Sequence, residues 1–174
     1  MTTRARGTTR TSQPKAKIPH QICWEDVKEG DAIPPVDFNL TVQRMVMSAG
    51  SNRDFATIHH NPTMGKAAGS PDMFLNNVSC LQLWERVISD WIGIHGRVKK
   101  VSFRIMHFHA AGDVVHVAGK VAKKWQENGL NLLELEMQSD TPRMPGMTGS
   151  VVVALPSKAN PTATPHWNAQ GVAV

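Results

Sequence analysis

Around Gly93–Gly96 the hydrophobic rhythm of the chain changes, and that change limits the available folds more than any other feature. Before it, Phe74, Val78, Leu81, Trp84, Ile88 and Trp91 recur at intervals of three and four, which predicts an amphipathic helix. Leu75, Leu83, Val87 and Ile92 widen the apolar stripe, so the helix should be covered on more than one side. Ser70-Pro71-Asp72 offers a capping hydroxyl, a proline for the first helical position and an acid for the dipole, placing the start at Ser70 and the end near Gly93. After Gly96 the period is two. Val101, Phe103 and Ile105 alternate with Ser102, Arg104 and Met106; Val115, Val117 and Val121 alternate with His116, Ala118 and Lys120. Asn128-Gly129 signals a tight turn. Leu133, Leu135 and Met137 then oppose Glu134, Glu136 and Gln138, and Val151, Val153 and Leu155 close the series. Upstream, Trp24 to Asp31 is turn-rich, Val36 to Val42 suits a short strand, and Gln43 to Ala49 a helical turn. Gly50 to Ala68 looks irregular, with one further helical turn.

An early strand, a long buried helix and a meander of strands with one polar face predict an α+β domain. A curved antiparallel sheet wraps around a long central helix, an arrangement that resembles the hot-dog fold. Such a sheet leaves an edge open, so pairing with a second copy or a related subunit is expected. The 174 residues suit one domain over residues 21–156, preceded by a basic tail, residues 1–20, and followed by an irregular tail, residues 157–174. The net charge of +5 does not imply nucleic acid. Arg4, Arg6, Arg10, Lys15 and Lys17 lie in the first tail, and the remaining 14 basic and 14 acidic residues balance. No basic stripe interleaves with aromatics. No run of about 18 apolar residues is present to span a membrane, and the N-terminal arginines precede no apolar segment. Cys23 and Cys80 carry neither metal spacing nor a disulfide framework. A cytoplasmic protein is expected.

Chemistry concentrates in Asn52-Arg53-Asp54-Phe55-Ala56-Thr57-Ile58-His59-His60-Asn61-Pro62. Phe55 and Ile58 can anchor this segment while Asp54 and His59 face a common cavity. A carboxylate and an imidazole on one water make a general acid–base pair; a buried Asp–His bond bracing a loop is an equal alternative on residue chemistry alone.

Asp54-Phe-Ala-Thr-Ile58-His59 resembles the Asp-x-x-x-Ile/Val-His motif of the MaoC-like (R)-specific enoyl-CoA hydratases. Arg53-Asp54-Phe55, His59-His60, Gly69, Asp72-Met73-Phe74-Leu75-Asn76 and Ser89-Asp90-Trp91-Ile92-Gly93 are similar to the small MaoC-like subunit of actinobacterial steroid side-chain enoyl-CoA hydratases. The likeness runs from Trp24 to Leu155 and leaves both tails uncovered. It implies water addition to C3 of a trans-2-enoyl-CoA with proton delivery to C2, Asp54 as base, and His59 holding the water and passing the proton. It also implies a backbone N–H near the start of the central helix on the thioester oxygen. Many relatives carry His-Gly there, whereas this chain has Phe74-Leu75. A steroid-like acyl group, an acyl-CoA substrate with no separate cofactor, and a homodimer or a heteromer with a second MaoC-like subunit follow from the same resemblance.

Other residues are weaker candidates. His60 and Asn61 flank the pair and could meet substrate, although His60 points elsewhere if His59 points in. Arg97, Lys99 and Lys100 could grip coenzyme A phosphates or form a solvated edge. His107 and His109 have metal-compatible spacing on a strand, but no third ligand accompanies them, so no metal is expected. Two rivals remain: a non-catalytic partner subunit, and a hot-dog acyl-CoA thioesterase.

Overall fold

A computed structural model of the protein describes residues 21–163, so the basic tail at residues 1–20 and the last eleven residues lie outside it. The described residues order as β1 (Ala32–Asn39), α1 (Val42–Ser51), α2 (Pro62–Ala67), α3 (Asn77–Ile92), β2 (Arg97–Ile105), β3 (Val114–Glu127), β4 (Leu130–Asp140) and β5 (Pro145–Leu155). Short 3-10 turns occupy Trp24–Asp26 and Thr57–His59. The strands form one antiparallel sheet in the order β1-β3-β4-β5-β2, with α3 on its apolar face.

The period-two pattern accounts for that face. Val115, Val117 and Val121 of β3, Leu133, Leu135 and Met137 of β4, and Val151, Val153 and Leu155 of β5 are all at most 1% exposed. They meet Cys80, Trp84, Val87, Ile88 and Ile92 of α3 in one cluster. At about 25 cal/mol per Å² of apolar surface, this shared burial is the main stabilising term. Asn128 and Gly129 join β3 to β4, both with positive φ (51° and 76°), as a two-residue hairpin of matching twist requires. Gly119 faces inward on β3, where a Cβ would stand 2.4 Å from Met137 Sδ; glycine there lets the methionine fill the layer. β1 and β2 are the sheet edges. Pro34 and Pro35 lie in β1 at a register shift between Ile33 and Val36.

Four expectations need correction, and the first concerns Phe55: this expected anchor of its segment is 74% exposed, whereas Ile58 is half-buried. The central helix begins at Asn77 rather than Ser70 and is 16 residues long. Residues 73–75 are instead held extended by tertiary pairing: Ala111 N–H donates to Met73 O at 2.8 Å, Leu75 N–H to His109 O at 3.0 Å, and Phe74 bridges Ala110. These bonds outweigh the local start signal, and Asp72 Oδ1 accepts the Met73 N–H instead. The first strand starts earlier than Val36, at Ala32, and ends at Asn39 because Thr41 caps α1 through the Arg44 N–H. Finally, β2 stops at Ile105, so His107 and His109 do not share a strand face; His107 is exposed and His109 is 1% exposed.

Candidate active site

Asp54 is placed by the end of α1. Arg53 takes a left-handed conformation (φ 54°), its N–H donates to Gly50 O, and the Asp54 N–H donates to Ala49 O. This paired closure is the Schellman pattern, in which the residue after the cap adopts φ > 0, a position usually given to glycine. The chain therefore reverses sharply and aims Asp54 back at α3. His59 enters from the next turn, Thr57–His59, and is buried.

Four side-chain bonds define the site. His59 Nδ1 lies 2.7 Å from Phe74 O. A carbonyl only accepts, so Nδ1 carries the proton and donates. In the neutral imidazole that leaves the Nε2 lone pair free, and Nε2 faces Asp54 Oδ2 at 3.4 Å. Asn76 Nδ2 donates to the same Oδ2 at 2.8 Å, and the Ala56 N–H donates to Oδ1 at 3.3 Å. The Asn76 amide first, and the Ala56 N–H second, hold the Asp54 carboxyl below its usual range, against the smaller opposing effect of burial. The Phe74 ring packs edge-on to His59, with centroids 5.2 Å apart, and against Phe108.

Asn76 is the residue that sequence reasoning did not single out as a side chain. It is the N-cap of α3: its Oδ1 accepts from Ser79 N–H at 2.8 Å and from Asn52 Nδ2 at 3.3 Å. Asn52 also donates to Ser79 Oγ and accepts from Gln82 Nε2, while the Ser48 and Ser79 hydroxyls bond each other. This polar ladder ties α1 to α3 and fixes the distance between Asp54 and the helix start. The available signal was Asn76 ahead of an apolar-periodic run, a strong cap pattern masked by the better-looking Ser70-Pro71-Asp72.

The other candidate residues separate. The Leu75 N–H is spent on His109 O, and the Phe74 N–H reaches Ile58 O at 3.4 Å. In the first turn of α3, Asn77 and Val78 have no intrahelical acceptor for their N–H groups, and both are exposed. Asn61 caps α2, accepting from the N–H groups of Thr63 and Met64. His60 is exposed beside the pair. Arg97 donates to Ile94 O and Gly96 O at the start of β2; burial, then the Arg97 charge, depress the Lys99 ammonium. Residues 109–111, which pair with residues 73–75 beside His59, follow the other end of that strand, about 26 Å from Arg97 and about 17 Å from Lys100 at 3.3 Å per residue. Within one chain, then, Arg97, Lys99 and Lys100 are not brought to Asp54 and His59. Among the described residues no group of three or more His, Cys, Asp or Glu side chains could hold a metal, and no helix is long and apolar enough to cross a membrane.

Beside the start of α3 a cavity of about 220 Å³ is lined by Phe38, Leu40, Leu75, Ser79 and Leu83, with Arg44, Ser48 and Gln82. Arg44, Ser48 and Gln82 also line a wider cleft of about 530 Å³ along α1.

No family model matches the chain. Over 77 residues it is 32% identical to the 3-oxo-4,17-pregnadiene-20-carboxyl-CoA hydratase beta subunit of Mycobacterium tuberculosis. The match covers 44% of this chain and 60% of that relative, less than two thirds of its length. Three solved structures share the fold. A chain of the ChsH1–ChsH2 complex of Mycobacterium tuberculosis superposes with a TM-score of 0.68 at 24% identity, covering 73% of this chain and 97% of that one. An (R)-hydratase from A. caviae gives 0.68 at 16% identity, covering 76% and 99%. A MaoC-like dehydratase gives 0.69 at 21% identity, covering 90% and 49%. The sheet order and the helix seated on it are those of the hot-dog fold.

Proposed function

From the premise that this chain resembles the MaoC-like hydratases in both a sequence segment and its fold, we propose that it adds water reversibly to a trans-2-enoyl-CoA, giving the 3-hydroxyacyl-CoA. The observation that carries the reading is the His59 geometry: Nδ1 is committed to Phe74 O, and Nε2 converges with an ionised Asp54. Two acceptors 3.4 Å apart suit the two O–H groups of one water. As the water oxygen bonds to C3, Asp54 takes its proton, with His59 holding the other O–H. The proton taken by the pair is then returned to C2, so one water is added across the double bond and nothing else is consumed. No cofactor is needed beyond the coenzyme A of the substrate.

The thioester oxygen gains negative charge in this step and needs donors. Because the Leu75 amide is bonded within the fold, this role passes to the first-turn amides of α3, Asn77 and Val78, at the positive end of the helix dipole. The cavity and cleft beside α1 and α3 give room for a bulky, steroid-type acyl chain. Phe55, Phe103, Met106 and Phe108 are exposed, Phe55 by 74%, and three of them lie on or just beyond edge strand β2. Apolar exposure of this kind at an unpaired edge suits a second hot-dog subunit, either another copy or an unlike MaoC-like chain. Such a subunit could also bring its own cations to the coenzyme. We place the enzyme in the cytoplasm.

The test is loss of enoyl absorbance with a short-chain and a steroid-like 2-enoyl-CoA. Asp54→Asn and His59→Ala should each lower the rate by about 10²–10⁴-fold in a protein that remains folded. Turnover indifferent to both substitutions sinks the mechanism. Turnover that appears only on mixing with a second MaoC-like chain assigns the enzyme to a heteromer.

A further inference from the structure

A row of three side-chain amides leads from the exposed face of α3 to Asp54. Gln82 Nε2 donates to Asn52 Oδ1 at 3.2 Å, Asn52 Nδ2 to Asn76 Oδ1 at 3.3 Å, and Asn76 Nδ2 to Asp54 Oδ2 at 2.8 Å. Each inner amide accepts at its oxygen and donates at its nitrogen, so all the N–H groups run one way, toward the carboxylate. One backbone group dictates that sense. The Ser79 N–H can only donate, and it donates to Asn76 Oδ1 at 2.8 Å. The Asn76 nitrogen must then face Asp54, the Asn52 nitrogen must face Asn76, and Gln82 must present a donor to Asn52. Asn52 Nδ2 also reaches Ser79 Oγ at 2.8 Å, a second contact that holds its amide in this orientation.

Amides aligned in this way polarise one another, and the chain of bonds is stronger than its members taken singly. Turning the Asn52 amide over would set oxygen against oxygen at Asn76. Losing it would leave Asn76 Oδ1 with the Ser79 N–H alone and free its amide to twist away from Asp54. We propose that Asn52 and Gln82 are positioning residues for Asp54, which lock the Asn76 amide with its nitrogen on the carboxylate. Gln82 also lines the cavity and the cleft beside α1, so the outer end of the row lies against the room assigned to the acyl chain. The titratable neighbours of Asp54 are His59 at 3.4 Å and, with a smaller effect, His60, both on the segment that follows it. From the packed helices it meets the Asn76 amide of α3 and, through its own N–H, the Ala49 carbonyl of α1. The kinetic consequence of this inference rests on the hydratase reading; the order of the hydrogen bonds does not.

The experiment titrates the full chain carrying ¹³C-labelled aspartate, the Asp54 carboxyl signal being assigned by its loss in Asp54→Asn. Asn52→Leu keeps the bulk and removes the amide. It should raise the Asp54 midpoint by roughly half a pH unit, and Gln82→Leu should raise it by less. Because the base is lost as pH falls through that midpoint, the acid limb of kcat/KM should move to higher pH by the same amount in each variant. Ser48→Ala cuts a bond between the same two helices that lies outside the row, the Ser48–Ser79 hydroxyl pair, and should leave the midpoint in place. A midpoint unmoved or lowered in Asn52→Leu, a larger shift in Gln82→Leu than in Asn52→Leu, or a shift in Ser48→Ala equal to that in Asn52→Leu overturns the proposal. Failure of the hydratase reading looks different: a wild-type chain inert toward every enoyl-CoA leaves the titration to decide, and a midpoint that moves without the acid limb keeps the positioning role but removes Asp54 as the base.

Discussion

Asn76 performs two tasks with one amide, and substitution can separate them. Its oxygen caps α3 through the Ser79 N–H, and its nitrogen donates to Asp54 Oδ2. Asn76→Ala removes both. Loss of the cap costs about 1 kcal/mol, which lowers Tm by about 2–4 °C in a chain of this size. Asn76→Asp keeps a capping oxygen, since Asp ranks with Asn there, but sets a second carboxylate against Asp54. The native amide depresses the Asp54 pKa, so the base is ionised above that depressed value and is lost as pH falls through it. Removing the donor raises the pKa, and like-charge repulsion raises it further. The acid limb of kcat/KM should therefore move to higher pH in the order wild type, Asn76→Ala, Asn76→Asp. At neutral pH both variants should lose on the order of a hundredfold through misplacement of the carboxylate. The assay is the pH profile of enoyl-CoA hydration beside thermal unfolding. An unchanged limb in Asn76→Asp, or one below that of Asn76→Ala, refutes the reasoning, because the cap is intact in the aspartate variant and unwinding of α3 cannot explain the order.

Two further outcomes follow from buried contacts. His109 sits between Cys80 Sγ and Ser139 Oγ, and burial depresses its pKa. The unfolded chain therefore binds the proton first, and stability should fall as pH drops below about 6.5; in His109→Phe the urea midpoint should lose that part of its pH slope. Gly65 packs against backbone, where a Cβ would stand 2.5 Å from Asp72 O and 2.7 Å from Met73 Cα. Gly65→Ala should cost about 1–3 kcal/mol by urea unfolding and, by displacing the segment that carries Phe74 O, should reduce turnover as well.

The sheet was legible because each of its later strands has one wet face: Glu134, Glu136 and Gln138 mark β4 as plainly as the leucines do. The Asn128-Gly129 hairpin was equally plain, since few residue pairs accept two positive φ angles. The start of α3 was not legible. Ser70-Pro71-Asp72 has every local cap signal, and only contacts with residues 109–111, distant in sequence, hold the chain extended as far as Leu75. The same limit hid Asn76. A cap can be read from neighbours in sequence, but an amide reaching Asp54 across 22 positions cannot. The segment around Asp54 read as irregular because its order comes from the Schellman closure at Arg53 and from bonds to α3, with little periodicity of its own.

The two prolines of β1 carry a consequence for assembly. Proline has no N–H to offer a neighbouring strand, and Pro34-Pro35 stands beside an irregularity in register on an outer strand. That margin of the sheet is a poor template for further strands. The opposite margin, β2, contains no proline along its nine residues and shows Phe103 to solvent. A sheet with one receptive margin and one refractory margin can be extended once and then has nowhere to continue. Two copies joined edge to edge through β2 would turn only their β1 margins outward, where the paired prolines offer a further strand few N–H groups.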